Sequence, residues 1–390
     1  MAGGGVGGSA PPVDKPLVAR DDVLGTALGD AHVLYDPRTG RAHVLNRSAA
    51  TIWGMLSPET TISAVAARLA TEIDASVDEM RDDVARTVAW LTEQDLVLIS
   101  PGSGDVQPVR SPSMAVADDA TVAPGYSTTT FEVLDQKVAF MCDRPALVAD
   151  VEWYAAPLAI GGSPDRTISL AASDGMERTL PARMNRLAAE STTLTVLHAG
   201  AIVAGDAAIA FPGAPGSGKS TLVAGLVRRG YGYLTDEALG ISADARVTGY
   251  PKRIALELGS WLLFPGITER KESTRSRIDP TRVRWVDPRW LHRDALAWRA
   301  TGEPLRLACV VMASYEDGAT PDLERLDPLD AMTALLADTF NLKLMGSTGL
   351  ETLRDLATSM PFFRLRHGDM KQALPIVDEL FREAGAASAS

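Results

Sequence analysis

The stretch "GAPGSGKSTLV" (213–223) holds the residue types that handle phosphate. Gly213, Gly218, Lys219 and Ser220 fit the pattern G-x-x-x-x-G-K-[ST]. Glycines let a backbone curl until its N–H groups face phosphate oxygens, and the helix that follows adds its positive end. Lys219 is expected at the β- and γ-phosphates, and Ser220 as a ligand of Mg²⁺. Gly213, Gly216, Ser217, Gly218, Lys219, Ser220 and Thr221 are therefore the candidate nucleotide contacts, with ATP and Mg²⁺ as the expected cofactors.

Two further features lie close in sequence. "YGYLT" (231–235) reads as the next strand and ends in Asp236-Glu237. A carboxylate at that strand end could hold Mg²⁺ together with Ser220, or accept a proton from an attacking hydroxyl. A turn acid or a helix cap is the plainer alternative. His198, in "LTVLHAGAIV", interrupts an apolar strand ahead of the loop; alone it reads as a core histidine, beside the acid it gains interest. The catalytic candidates are thus Asp236, His198 and Lys219, and the metal candidates Ser220, Asp236 and Glu237. Arg253 in "YPKRIALELG" could complete a phosphate site. The run 270–293 carries eight basic residues against three acids. It reads either as an anion clamp or as a solvated, salt-bridged face.

The elements that must position these groups follow from patterning. "AAIAF" (207–211) reads as a buried strand and 219–229 as the helix after the loop, closed by Arg228, Arg229 and Gly230. Residues 20–100 form a separate front unit. "GTALG", "AHVLYD" and "RAHVLN" read as short strands with a turn at 37–40. Helices follow at 48–56, with Ser48 as cap, at 61–73, with Ile62, Val65, Leu69 and Ile73 on one face, and at 77–94, with Val77, Met80, Val84, Val88 and Leu91. Residues 101–127, rich in Pro, Gly, Ser and Asp, read as a linker. Residues 128–385 make the second unit and end in an amphipathic helix (370–381).

Residues 197–242 resemble the catalytic core of bacterial HPr serine kinase/phosphorylase. The match rests on a His-Gly-like segment, the loop, a helix ending near Arg-Gly and an acid pair. The resemblance implies a fold related to phosphoenolpyruvate carboxykinase, with Asp236 as the base on a substrate hydroxyl and His198 close by. Thr221 stands where that family has Glu, Glu237 where it has Asp, and Ala214-Pro215 also differ. Phosphorylase activity and HPr as substrate are the points these departures put in question.

The front unit, with "LNRSAATIW" at its junction, is similar to the PqqD family of leader-peptide recognition domains. That resemblance implies a winged-helix-like domain in which a leader adds as an extra strand beside 41–46 and packs on the 77–94 helix. His43, Val44, Leu45, Arg81, Val84 and Val88 would then line the peptide site, although the apolar ones read equally well as core. Trp53 and Trp90 read as core. The whole is expected to be α/β (α+β): a PqqD-type domain ahead of a phosphate-loop kinase domain of the HPr kinase/PEP carboxykinase type.

Composition narrows the classes. The chain has 390 residues, 46% hydrophobic, and a net charge of −12. The front unit carries 7 Arg, no Lys and 13 acids. Such surfaces are poor partners for nucleic acid. Cys142 and Cys309 have no metal spacing and read as buried thiols. No apolar run suits a membrane span, and "MAGGGVGGSAPP" lacks the features of a signal peptide, so a cytoplasmic protein is expected. The combined expectation is a kinase acting on a Ser or Thr of a ribosomally made precursor peptide, with other tailoring enzymes and an oligomeric state open as partners. A small-molecule kinase and a non-catalytic, nucleotide-gated peptide carrier are the open alternatives.

Overall fold

The computed structural model describes residues 15–99, 125–171, 176–271, 281–300 and 305–388, which form two compact units. The expected linker lies mostly outside the described residues.

The front unit contains β1 (Leu17–Ala19), β2 (Leu24–Leu28), β3 (Ala31–Asp36), β4 (Arg41–Leu45), α1 (Arg47–Met55), α2 (Ile62–Ile73), α3 (Val77–Glu93) and β5 (Val97–Ile99). Strands β2, β3 and β4 form an antiparallel sheet, and β1 pairs with β5. The β1–β5 ribbon is absent from the sequence reading because three-residue strands leave too few positions to show a period. The cap of α1 is Asn46, whose side chain accepts from the Ala49 N–H, not Ser48. An Asx oxygen one step ahead of the helix reaches the third free N–H, and Ser48 already lies inside the first turn. Thr61 caps α2 in the same way. Leu34, Leu45, Ile52, Ile62, Val65, Val84, Val88 and Leu91 make the core. Ile73 is 61% exposed. It is the last helical residue before the left-handed Asp74, where the buried stripe has already left the core.

The second unit begins with β6 (Tyr126–Ser127), β7 (Thr130–Val133), β8 (Gln136–Cys142), α4 (Pro145–Ala155), β9 (Ala159–Ile160), β10 (Arg166–Leu170) and α5 (Met176–Ala189). The sheet order is β10-β8-β7-β9, with β6 on β8, and α4 and α5 cover it.

Next come β11 (Thr195–Ala204), β12 (Ala207–Pro212), α6 (Lys219–Arg228), β13 (Gly232–Thr235), β14 (Ala238–Ile241), β15 (Arg246–Thr248), β16 (Ile254–Glu257), β17 (Val283–Val286) and α7 (Pro288–Leu291). The unit ends with β18 (Leu305–Tyr315), β19 (Asp322–Arg325), α8 (Pro328–Ala337), α9 (Leu342–Ser359), β20 (Phe362–His367) and α10 (Met370–Ser388). The large sheet runs β12-β11-β14-β15-β18-β20-β19, with β13 also on β11. Because β12 pairs in parallel with β18, five of these strands close a ring. The carboxyl ends of β12 and β18 therefore lie together. The loop 213–218 leaves β12 at that end and enters α6.

Helix α6 is apolar on most of its surface. Leu222, Val223, Leu226 and Val227 are fully buried, and α10 adds Ala373, Leu374 and Val377. Gly200 of β11 allows the close approach of α6. A Cβ there would lie 2.7 Å from Val223 Cγ2. At the far end of α6, Gly230 has φ +106°, a region that favours glycine, and stops the helix as expected. Both cysteines are buried free thiols.

Candidate functional site

The loop has the backbone its glycines suggest. Gly216 (φ +83°) and Gly218 (φ +90°) take left-handed conformations, and Gly218 is the N-cap of α6. Lys219 is buried, and its Nζ donates to the carbonyls of Gly213 (2.5 Å) and Ala214 (2.9 Å). The Ser217 hydroxyl is buried without a hydrogen-bond partner among the described residues. Ser220 and Thr221 are half-buried in the first turn of α6. An ammonium bonded to its own loop, an unsatisfied hydroxyl and an open helix N-terminus are what a bound phosphate chain would complete. The residues present thus fit a nucleoside triphosphate.

Three carboxylates face this lysine. Burial lowers the Lys219 pKa, while Asp338, Glu237 and Asp236 pull it back up. The two neighbouring acids differ sharply. Asp236 is 2% exposed. Its Oδ1 accepts from Lys252 Nζ (2.6 Å) and from the Tyr233 hydroxyl (2.8 Å), and its Oδ2 from the Ala255 N–H (2.9 Å). Lys252 is itself 1% exposed. A carboxylate held by three donors in the interior is an anchor, with little capacity left to take a proton from a substrate hydroxyl. This differs from the expectation that Asp236 would be the open base. Strand β13 and the tight link to β14 turn the first acid inward and the second outward. The Thr235 hydroxyl accepts from the N–H groups of Glu237 and Ala238 and fixes that link.

Glu237 is the more exposed of the two acids. It is half-buried, accepts from Asn185 Nδ2 at 2.9 Å, and lies 3.7 Å from Lys252 Nζ and 3.9 Å from His198 Nε2. Burial raises its pKa, with Lys252 and Lys219 opposing and Asp236 adding to the rise. His198 stacks on Phe340 at 5.1 Å between ring centroids. Burial, with Lys219 and Lys252 nearby, drives its pKa down to about 4. The ring is therefore neutral near pH 7.

Sequence reasoning missed Asp338, Asn185 and Lys252. Asp338 follows α8, and its carboxyl pKa is raised by burial against the pull of Lys219. Its carbonyl accepts from the His198 N–H at 2.6 Å. Asn341 ties this segment down. Its Oδ1 accepts from the Val196 N–H, and its Nδ2 donates to the Ser191 and Leu194 carbonyls. No local spacing signals a contact between segments so far apart in sequence.

Arg253 is not a loop residue. It is 6% exposed between the Trp153 and Trp290 rings (4.6 and 4.9 Å), donates to the Trp153 carbonyl and lies 3.5 Å from Asp287. The guanidinium is stacked between two indoles, and its Nη1 is buried without a hydrogen-bond partner among the described residues. Residues 272–280 of the basic run lie outside the described residues. Among the described residues, no group of three or more His, Cys, Asp or Glu side chains forms a metal cage. Mg²⁺ commonly needs only one or two protein groups beside phosphate oxygens, and Ser220, in the first turn of α6, is the residue of the loop that could supply one.

In the front unit, β4 is an edge of its sheet, with Arg41, Ala42 and Val44 exposed. His43 meets Trp90 of α3 edge-on at 5.9 Å. Trp90 is 38% exposed, so it is not the core residue expected from sequence. Leu45, Val84 and Val88 are the reverse case. All are buried in the unit's own core and cannot touch a peptide. Arg81 bonds Asp78 at 3.0 Å, and its Nε is buried without a partner among the described residues. Of the expected residues, His43, Val44 and Arg81 stay outside the core, and Trp90 lies beside His43.

Residues 31–97 match the family model of coenzyme PQQ synthesis protein D (PqqD). The front unit is PqqD-like. Among solved structures, TbiB1 in complex with the TbiA(beta) leader peptide is similar. It is 19% identical, with a TM-score of 0.20, over 23% of this chain and 99% of that one. No curated protein matches the chain. No described helix is long and apolar enough to cross a membrane.

Proposed function

We propose that this protein is an ATP-dependent kinase that phosphorylates a Ser or Thr hydroxyl of a ribosomally made precursor peptide, with the leader held by the PqqD-like unit. The observation that carries it is Glu237, a partly buried carboxylate 3.9 Å from His198 and coupled electrostatically to Lys219, the lysine of the glycine loop. A leader segment would pair along the β4 edge, where backbone bonds give affinity and the Val44 and Trp90 surfaces give selection. Tethering the leader raises the effective concentration of the acceptor at the second unit.

Glu237 accepts the proton of the acceptor hydroxyl as its oxygen forms a bond to the γ-phosphorus and the bond to the ADP oxygen breaks. A raised pKa makes Glu237 a stronger base than an ordinary carboxylate. Lys219, released from its loop carbonyls, neutralises charge on the transferred group. Neutral His198 borders Glu237 without adding positive charge to it. Asp236 and Lys252 hold the strand end in place. Ser220 would hold Mg²⁺, which would supply charge neutralisation on the phosphates, and Glu237 is left to act as base.

The test uses the full chain with ATP, Mg²⁺ and the precursor peptides encoded beside it, read by intact mass. One added phosphate is expected, lost in Lys219→Ala and Glu237→Gln. A Val44→Glu/Trp90→Ala variant should raise KM for the peptide and leave the rate at saturation unchanged. ATP turnover to free phosphate with no change in any precursor mass overturns the reading.

A further inference from the structure

One exposed aromatic ring lies against the loop. Tyr315 is the last residue of β18, at the carboxyl end that β18 shares with β12, and is 50% exposed. Its N–H donates to the Ser217 carbonyl at 3.1 Å. A Cβ on Gly218 would lie 3.3 Å from Tyr315 Cβ. The backbone and Cβ of Tyr315 are therefore held at the loop's edge, and its hydroxyl donates to Asp317 Oδ1 at 3.3 Å.

Its support is stiff. The Glu316 N–H donates to the His367 carbonyl, Ala319 N–H to Glu316, and Gly368 N–H to Ala319. Gly368 leaves no space for a side chain, since a Cβ there would meet Ala319 N at 2.5 Å and Glu316 O at 2.9 Å. His367 meets the Tyr315 ring edge-on at 5.8 Å. It is 3% exposed, and neither ring nitrogen has a hydrogen-bond partner among the described residues.

We propose that Tyr315 is the platform on which the nucleoside of the bound nucleotide stacks, with His367 as the ring that backs it. This rests on the nucleotide-binding reading of the loop. Ligands of α/β sheets collect outside carboxyl strand ends, and a base offers a flat π-face to an aromatic ring. The phosphates belong to the loop and the base and ribose to Tyr315, so the two subsites can be separated by probe.

The experiment measures affinities of the full chain for ATP and for inorganic tripolyphosphate, each with Mg²⁺. Wild type should hold ATP more tightly than tripolyphosphate. Tyr315→Ala should lose about tenfold for ATP and nothing for tripolyphosphate, and Tyr315→Phe should keep both. Equal loss for both probes would make Tyr315 a mere support of the loop and overturns the proposal, as does unchanged ATP binding. Lys219→Ala serves as the separate control. Unaltered affinity for both probes in that variant sinks the loop reading itself, whereas loss there with an indifferent Tyr315→Ala sinks only the platform.

Discussion

Substitution of Asp236 by Asn should destabilise the second unit measurably, whatever it does to the chemistry. Lys252 is 1% exposed, and its ammonium lies 2.6 Å from Asp236 Oδ1. Asparagine keeps the shape and removes the charge, so a buried ammonium is left with Glu237 at 3.7 Å as its nearest carboxylate. Breaking one side of a buried pair costs about 3–5 kcal/mol, and the Glu237 contact places this case at the lower end, about 3 kcal/mol. A unit of this size melts about 2 °C lower per kcal/mol, so its transition should fall by about 6 °C. The assay is thermal unfolding of the full chain followed by near-ultraviolet circular dichroism. Lys252→Met and the double variant complete a cycle, whose coupling should exceed about 1 kcal/mol because the charge left alone in each single variant is gone in the double. An Asn variant that melts within about 1 °C of wild type and yet loses phosphate transfer would refute the anchor assignment. It would return Asp236 to the chemistry.

Other consequences follow from the same packing. His198 has a folded pKa of about 4, below the ordinary histidine value of 6.5, so between these the unfolded chain binds the extra proton. Its contribution to stability is complete above pH 6.5 and is lost as pH falls toward 4. The drop in urea midpoint from pH 7 to pH 5 should therefore be smaller in His198→Gln, and an equal drop in both proteins would count against a buried neutral ring. Gly200→Val would press on Val223 of α6 and should cost about 1–3 kcal/mol. Val223→Ala in the same chain should recover part of it, as read by chemical denaturation. A substitution without cost would mean that α6 does not sit this close to β11.

Much of the site was readable because its signals are local. The run 213–223 needs only the glycine spacing and the apolar strand before it, and β12 and α6 lie within a residue or so of the expected bounds. The same holds for β2, β3 and β4 and the three front helices, whose turns and periods are internal to each segment. The misassigned residues are those whose surroundings decide their role. Val84 and Val88 have the apolar character of a groove wall and the burial of a core, while Trp90 has core character and an open face.

The amino-acid order by itself determined that a phosphate-type loop is followed by a strand bearing two adjacent acids, because hydrogen bonding and side-chain alternation act over a few residues. Only the tertiary structure decided which acid is which. Asp236 turned inward because Lys252, Tyr233 and the Ala255 N–H converge there, and Glu237 stayed partly exposed between Asn185 and His198. Asp338 joined them because its own carbonyl, Phe340 and Asn341 hold its segment against β11. Charge interactions depend on distance in space, and that distance exists only once the ring of strands has closed.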